Sequence, residues 1–302
     1  MAQLIHAQAS EVFFTSSGSE SNNFAIKGLA LAQRSQGTHI VLSAVEHQSV
    51  LHSAKSLEKL GFSVSLVPVD KWGCVSPEEV QKAVTKETVV VSVMLANSEV
   101  GTIQPVQEIA EICGAHNVLL HTDAVAAVGN IPVNVTELGV DALSLAGNPF
   151  YGPKGSAALF VKKGVRILPF IDGGIQEGGR RAGTENVAAI VGLGKAAELA
   201  GEELKKRAEK AKLLRDKLIQ ELPQRVDHVF LTGHPEKRLP DHASFCIEFI
   251  EGEAMLLNLD IQGISASSGS ACTSKALKAS HVLLAMGIDH ALAQGSLVFS
   301  MI

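Results

Sequence analysis

The sequence lacks several features that would assign it to common classes of protein. Its formal net charge is −5 over 302 residues, without a cluster of Lys and Arg, so nothing indicates a nucleic-acid partner. The longest apolar run, residues 89–96, includes a serine and is too short to cross a bilayer. No charged segment followed by an apolar one opens the chain, so we expect no secretion, no membrane partner and a cytoplasmic location.

Cysteine is scarce, and its spacing does not suggest a metal site. The chain has four cysteines, Cys74, Cys113, Cys246 and Cys272, and no pair is spaced as in a zinc site or a disulfide framework. Cys113 and Cys246 stand in apolar patterns and are predicted to be buried. Cys272 follows Ser-Ser-Gly-Ser-Ala, which predicts a loop and an accessible thiol.

Short apolar runs alternate with amphipathic stretches along most of the chain. This alternation is typical of βαβ units and predicts an α/β fold with a mainly parallel sheet. Seven strands are predicted, at residues 11–14, 39–43, 63–68, 89–95, 118–122, 142–145 and 157–161. A long charged helix over 202–222 marks the predicted boundary between a large domain, residues 1–205, and a smaller domain, residues 206–302.

A run of hydroxyl side chains follows the first predicted strand and opens a helix. Residues 15–23 read Thr-Ser-Ser-Gly-Ser-Glu-Ser-Asn-Asn. Backbone N–H groups at a helix start bind anions, so Gly18 and Ser19 are candidates for holding a phosphate. The same residue types are ordinary helix caps, and the run alone does not distinguish the two interpretations.

Two other candidates stand close to predicted strands. Asp123 follows the strand at 118–122, and open α/β sheets bind ligands at the carboxyl ends of their strands. A carboxylate there can pair with a protonated pyridine nitrogen, although a lone Asp after a strand is more often a turn residue. His47 follows Glu46, and a single histidine is usually an ordinary surface or core residue.

The segment 144–155, Ser-Leu-Ala-Gly-Asn-Pro-Phe-Tyr-Gly-Pro-Lys-Gly, resembles the active-site loop of the cysteine desulfurases. These are pyridoxal-phosphate (PLP) enzymes of the class V aminotransferase-like group. Further segments resemble motifs of that family, at residues 15–23, 46–47, 97–101, 121–124, 173–177, 180–186 and 265–274. The resemblance implies the PLP-dependent transferase fold (fold type I), with a mainly parallel seven-stranded sheet in the large domain and a truncated α+β small domain.

The resemblance also implies a role for each candidate residue. Gly18 and Ser19 would hold the phosphate of PLP, Asp123 would pair with its ring nitrogen, and His47 would stack on the ring and shuttle protons. Thr184 would reach the phosphate of the neighbouring subunit, which implies a homodimer. Cys272 would take sulfur from L-cysteine as a persulfide and pass it to an acceptor such as an iron–sulfur scaffold protein.

The departures from the family concentrate in the cofactor and substrate site. Pro149 stands where the family has the lysine that forms the Schiff base with PLP, and a proline ring has no amine to offer. Lys154 matches a second lysine that the family has as well, so it is not expected to substitute. Other family residues are replaced by Ala126 (for Gln), Ser98 (for Asn), Val298 (for Arg), Asn148 (for His) and Ala146 (for Ser).

Two hypotheses follow, and whether the chain is an enzyme differs between them. In the first, it is an active PLP-dependent cysteine desulfurase that transfers sulfur through a Cys272 persulfide. In the second, it is a desulfurase-family protein of sulfur mobilisation and iron–sulfur cluster assembly whose turnover is absent or severely impaired by Pro149. PLP would then dock without a lysine Schiff base, and Cys272 would handle sulfur or ligate a shared iron–sulfur cluster.

Overall fold

The structure, a computed structural model, describes residues 1–269 and 279–301. The chain divides into two compact units. The larger unit comprises Met1–Val67, Val75–Leu95 and Gln104–Leu204, and the smaller unit comprises Pro68–Cys74, Ala96–Ile103 and Lys205–Ile302. The two domains expected from the sequence, 1–205 and 206–302, stay a prediction.

A seven-stranded sheet forms the centre of the larger unit. Its strands are β1 (Val12–Thr15), β2 (His39–Ser43), β3 (Ser63–Val67), β4 (Thr88–Ser92), β5 (Leu119–Asp123), β6 (Ala142–Ala146) and β7 (Ala157–Val161). They lie in the order β1-β7-β6-β5-β4-β2-β3, and only β7 runs antiparallel to its neighbours. The predicted fold class and the predicted mainly parallel sheet are therefore confirmed.

Four of the strands form where the sequence is largely apolar. All five residues of β2, β4, β6 and β7 are buried, as expected for strands that are covered on both faces. The predicted strand 89–95 is shorter in the structure, because β4 ends at Ser92. Backbone bonds nevertheless continue along β5, from Val93 N–H to His121 O and from Leu95 N–H to Asp123 O.

Helices connect the strands of the larger unit. They are α1 (Gly18–Ala32), α2 (Gln48–Glu58), α3 (Pro77–Ala83), α4 (Val106–His116), α5 (Val135–Leu138), α6 (Gln176–Gly179) and the beginning of α7 (Val187–Arg225). The predicted helix 202–222 is only the second half of α7, so its predicted start was wrong. The side chain of Asn186 accepts a hydrogen bond from Ala189 N–H (3.2 Å), which fixes the earlier start.

The smaller unit has its own antiparallel sheet. Its strands are β8 (Val229–Leu231), β9 (His242–Ile247) and β10 (Ser296–Ser300), in the order β10-β9-β8. Its helices within the described residues are the end of α7, α8 (Gly252–Ile261), α9 (His281–Ala285) and α10 (His290–Gln294). Val229, Ala243 and Phe245 form its core together with apolar residues at the end of α7.

No helix in the described part of the chain is both long enough and apolar enough to cross a membrane.

Candidate functional site

The turn between β1 and α1 brings the serine-rich motif to the carboxyl end of the sheet. Ser17 is the N-cap of α1, and its hydroxyl accepts a hydrogen bond from Glu20 N–H (3.1 Å). Ser16, Ser17 and Ser19 are exposed. A Cβ on Gly18 would lie 2.7 Å from Cγ2 of Val125, so only glycine lets the helix start approach the residues after β5 this closely.

Asp123 is the last residue of β5 and is 5% exposed. Its carboxylate accepts two hydrogen bonds, from Val125 N–H to Oδ1 (2.9 Å) and from the Asn22 side-chain amide to Oδ2 (2.6 Å). Burial raises the pKa of Asp123, and these two bonds oppose that rise, as the His47 ring does when it carries a charge. A cation beside Asp123 would therefore stabilise its ionised form.

His47 precedes α2 and caps it. Its Nδ1 accepts a hydrogen bond from Ser49 N–H (3.1 Å) and lies 2.7 Å from Ser49 Oγ. Ser49 Oγ in turn accepts from the Asn22 amide (2.9 Å). The structure thus joins His47 and Asp123, two of the predicted site residues, into one hydrogen-bonded network through Asn22 and Ser49.

Two buried titratable side chains lie near this network. Glu46 accepts hydrogen bonds from Ser43 Oγ (2.6 Å) and from Met94 N–H (2.8 Å). Burial raises the pKa of Glu46 to about 8, with a smaller contribution from the charge of Asp123. His121 lies between Ser92 Oγ (2.8 Å) and Ser144 Oγ (2.9 Å), and burial lowers its pKa to about 3, so it stays neutral.

Pro149 follows β6, the strand next to β5 in the sheet. It lies in a short 3-10 helix, Asn148–Phe150, which begins after the N-cap Gly147. Gly152 N–H donates to Gly147 O (2.8 Å) and closes the turn. Because β5 and β6 run parallel, position 149 lies at the same sheet edge as Asp123. Asn148 is exposed and Pro149 is half-buried, and position 149 presents no nucleophilic group there.

Thr184 lies on an exposed segment of the larger unit. It lines a cleft of about 150 Å³ together with Thr15, Ser16 and Arg181. Arg181 Nε donates to Glu20 Oε1 (2.8 Å), which ties this segment to the first turn of α1. Thr184 is therefore beside the helix start of its own chain, and its predicted contact with a neighbouring subunit stays a prediction.

Three candidates from the sequence remain, namely Cys272, Ser98 and Val298. Cys272 falls outside the described residues, so its predicted roles in sulfur transfer and cluster ligation stay predictions. Within residues 1–269 and 279–301, no three His, Cys, Asp or Glu side chains are grouped to hold a metal ion. Ser98 is exposed and Val298 is buried in β10, and both belong to the smaller unit.

Three residues of the site were not singled out from the sequence. Asn22 and Ser49 connect Asp123 with His47, and Glu46, next to His47 in sequence, is fully buried. Asn22 is part of the hydroxyl-rich motif, and Glu46 and Ser49 flank His47 in sequence. Their contact partners, however, are up to 101 residues away, so local sequence could not show the network.

The sequence is similar to known proteins along its length. The family described as aminotransferase class-V matches residues 1–299. A cysteine desulfurase IscS of Dictyoglomus turgidum is 49% identical over 301 residues, which cover 100% of this chain and 76% of that protein. A second cysteine desulfurase IscS, of Methanosarcina thermophila, is 49% identical over 300 residues, covering 99% of this chain and 74% of that protein.

Solved structures show the same relationship. A NifS-like protein superposes with a TM-score of 0.92 and 39% identity, covering 99% of this chain and 79% of that chain. DndA from Streptomyces lividans gives a TM-score of 0.87 and 33% identity, covering 99% of this chain and 85% of that one. The fold of the chain matches that of these structures, and its sequence relatives match along its whole length. The chain therefore belongs to the class-V aminotransferase family and, within it, to the cysteine desulfurases.

Proposed function

We propose that this chain acts in sulfur mobilisation for iron–sulfur cluster assembly, and that its own cysteine desulfurase turnover is absent or severely impaired. The observation that carries the proposal is Pro149, which stands at the carboxyl edge of the sheet where the family has its PLP lysine. The lysine of such a site captures the cofactor and moves protons during turnover. Losing one group that serves several steps costs many orders of magnitude in rate.

The residues present fit PLP at two of its three points of attachment. Asp123 is a buried carboxylate that a protonated ring nitrogen would stabilise, and the start of α1 at Gly18 offers backbone N–H groups to a phosphate. When bound, PLP supplies an electron sink for bonds broken at the α-carbon of an amino acid. The third point, a lysine amine, does not fit, because position 149 is a proline.

Two further replacements weaken the capture of an amino-acid substrate. The family has an arginine that grips the substrate carboxylate at the position of Val298, which is 5% exposed in β10 and uncharged. Ser98 stands where an asparagine approaches the cofactor and substrate in the family. Both changes support a role for this chain other than turnover of free L-cysteine, the family substrate.

The remaining function would depend on Cys272 and on partners. Its thiolate is a soft ligand and nucleophile that suits sulfur transfer or a shared iron–sulfur cluster. A homodimer that presents this thiol to a scaffold protein would keep the family's role in assembly without the family's chemistry. The partners named by this proposal are therefore a second copy of the chain and an iron–sulfur scaffold protein.

The proposal is tested by visible absorbance and alanine release on the purified full chain. We expect that added PLP produces no yellow Schiff-base band in the wild type, that L-cysteine then yields no alanine, and that Cys272 still reacts with a thiol reagent. A band that responds to L-cysteine, with alanine released, would show an active desulfurase and overturn the proposal.

A gain-of-function variant sharpens the test. Pro149→Lys restores the amine, and Pro149→Ala is its matched control without one. Lysine can adopt the φ that proline has in the 3-10 turn, so the variant should fold. We expect yellow colour with PLP in Pro149→Lys alone. If Pro149→Lys stays colourless although it is folded, Pro149 is not what prevents covalent attachment.

A further inference from the structure

A continuous chain of hydrogen bonds connects His47 with Asp123. It runs from His47 Nδ1 to Ser49 Oγ (2.7 Å), from Ser49 Oγ to Asn22 Nδ2 (2.9 Å), and from Asn22 Nδ2 to Asp123 Oδ2 (2.6 Å). These residues come from α1, from the start of α2 and from the end of β5. The donors and acceptors of each side chain determine where the protons of these hydrogen bonds lie.

Asn22 fixes the direction of the hydrogen bonds. Its amide nitrogen has two protons, and both are used, one on Ser49 Oγ and one on Asp123 Oδ2. The Asn22 carbonyl oxygen is buried and has no partner within the described residues. Turning the amide over would bring that oxygen against the Asp123 carboxylate and leave two unpaired N–H groups buried instead of one oxygen, which is less favourable.

Ser49 transmits this direction to His47. Its hydroxyl accepts from Asn22, so its single proton is free to point to His47 Nδ1. Ser49 N–H also points to Nδ1, at 3.1 Å. An imidazole nitrogen that accepts two hydrogen bonds carries no proton of its own, so the proton of the neutral ring is on Nε2.

We propose that Asn22 and Ser49 are positioning residues that hold His47 as the neutral Nε2–H tautomer and couple it to Asp123. His47 can then donate a proton from Nε2 but cannot accept one there while the chain of bonds is intact. To take up a proton, it must do so at Nδ1 and break its bonds to Ser49. The inference concerns the site on which the proposed function rests, but it does not depend on the effect of Pro149.

The coupling gives the two residues a joint role toward a bound cofactor. Asn22 donates to the carboxylate that suits a protonated ring nitrogen, and the same amide sets the hydrogen bonding of the imidazole. Replacing Asn22 should therefore alter both groups at once. A purely structural asparagine would affect neither in this specific way.

Nitrogen-15 NMR of the histidine side chains tests the tautomer in the full chain without cofactor. His47→Gln identifies the His47 signals by their loss. We expect a pyridine-like Nδ1 and a protonated Nε2 for His47 in the wild type. A protonated Nδ1 would require the reverse bond direction and would overturn the proposal.

Matched variants test the two positioning residues. Ser49→Ala removes the hydroxyl donor, so the Nδ1 resonance should shift toward the value of a less strongly bonded nitrogen. Ser56→Ala, on the same helix, should leave it unchanged, because Ser56 Oγ bonds to Ser53 O. If Ser49→Ala also leaves the resonance unchanged, the hydroxyl is not the donor to His47. The buried His121 signals report in each variant whether the larger unit is folded.

Asn22 is tested by a second readout. Pyridoxine 5′-phosphate has no aldehyde and cannot form a Schiff base, so its affinity, measured by calorimetry, reports on noncovalent contacts alone. We expect Asn22→Ala to weaken binding at least several-fold and to shift His47 Nδ1. Asn23→Ala should do neither, since its amide bonds to Ser19 O within α1. Equal behaviour of the two variants in both measurements would refute the role of Asn22. Because neither measurement uses turnover, the outcome is independent of the test of Pro149.

Discussion

Replacing Glu46 by glutamine should change how the stability of this protein depends on pH. Glu46 is fully buried, and its pKa is raised from 4.5 to about 8, chiefly by burial. Its Oε1 accepts bonds from Ser43 Oγ and Met94 N–H. Glutamine keeps that acceptor and resembles the protonated acid in shape, so Glu46→Gln mimics the form that the fold prefers.

The sign of the effect follows from the direction of the pKa change. Between pH 4.5 and about 8 the folded chain keeps the Glu46 proton and the unfolded chain has lost it. Folding therefore takes up a proton in this window, and the stability contributed by Glu46 is present below pH 4.5 and is lost as the pH rises to about 8. The loss is about 1.4 kcal/mol per pH unit and about 5 kcal/mol over the whole range from 4.5 to about 8.

Denaturant unfolding of the wild type and Glu46→Gln at a series of pH values measures this contribution. From pH 6 to pH 8 the free energy of unfolding of the variant should gain about 2–3 kcal/mol relative to the wild type. Glu87→Gln, at an exposed carboxylate, serves as the control and should run parallel to the wild type. A difference between Glu46→Gln and the wild type that stays constant with pH would refute the reasoning, since it would mean that Glu46 binds its proton equally in both states.

Two other predictions concern the thiols and a glycine turn. Burial raises the pKa of both Cys113 and Cys246 to about 12. At pH 8 a thiol reagent should therefore label neither cysteine in the native chain and both in denaturant, with mass spectrometry identifying the labelled sites. Native labelling at a rate near that of half-buried Cys74 would contradict this prediction. Gly129 has a φ of 85°, and a Cβ there would lie 2.5 Å from Cβ of Phe150. Gly164 has a similar φ of 92°, but a Cβ there would meet nothing within 4 Å, so Gly164→Ala is the control. Gly129→Ala should lower the free energy of unfolding by about 1–3 kcal/mol more than Gly164→Ala does. Equal losses would show that Phe150 moves aside freely.

The centre of the sheet could be predicted from the sequence because β2, β4, β6 and β7 are buried on both faces. His39–Ser43 and Ala157–Val161 were predicted to the residue, since each contains consecutive apolar residues with a polar residue on either side. The start of α7 was missed, because its cap, Asn186, lies in a segment that the resemblance assigned to phosphate contact. Local patterns predict strands well where burial is continuous, and helix starts less well where the capping residue has a second plausible role.

The candidate site was predicted in part. Gly18, His47 and Asp123 come from three separate segments of sequence, and the topology brings all three to the larger unit's sheet edge or to the helix starts beside it. What connects them could not be predicted, because the contact between Asn22 and Asp123 spans 101 residues. Which residues share a buried network depends on the order of strands in the sheet, and the sequence alone does not reveal that order.

The proposed function separates binding of a cofactor from turnover, and the free energy of unfolding reports on binding alone. Burial raises the pKa of Asp123, so a protonated ring nitrogen placed beside it would favour the ionised folded state. A ligand that binds only the folded chain at 100 times its dissociation constant adds about 2.7 kcal/mol to the unfolding free energy. We therefore expect pyridoxine 5′-phosphate to raise the melting temperature of the wild type and much less that of Asp123→Ala. Stabilisation of the wild type by pyridoxine 5′-phosphate, together with no alanine release when PLP and L-cysteine are supplied instead, would mean that the pocket still binds while Pro149 prevents the chemistry. Equal melting shifts in both proteins would mean that Asp123 contributes nothing to binding.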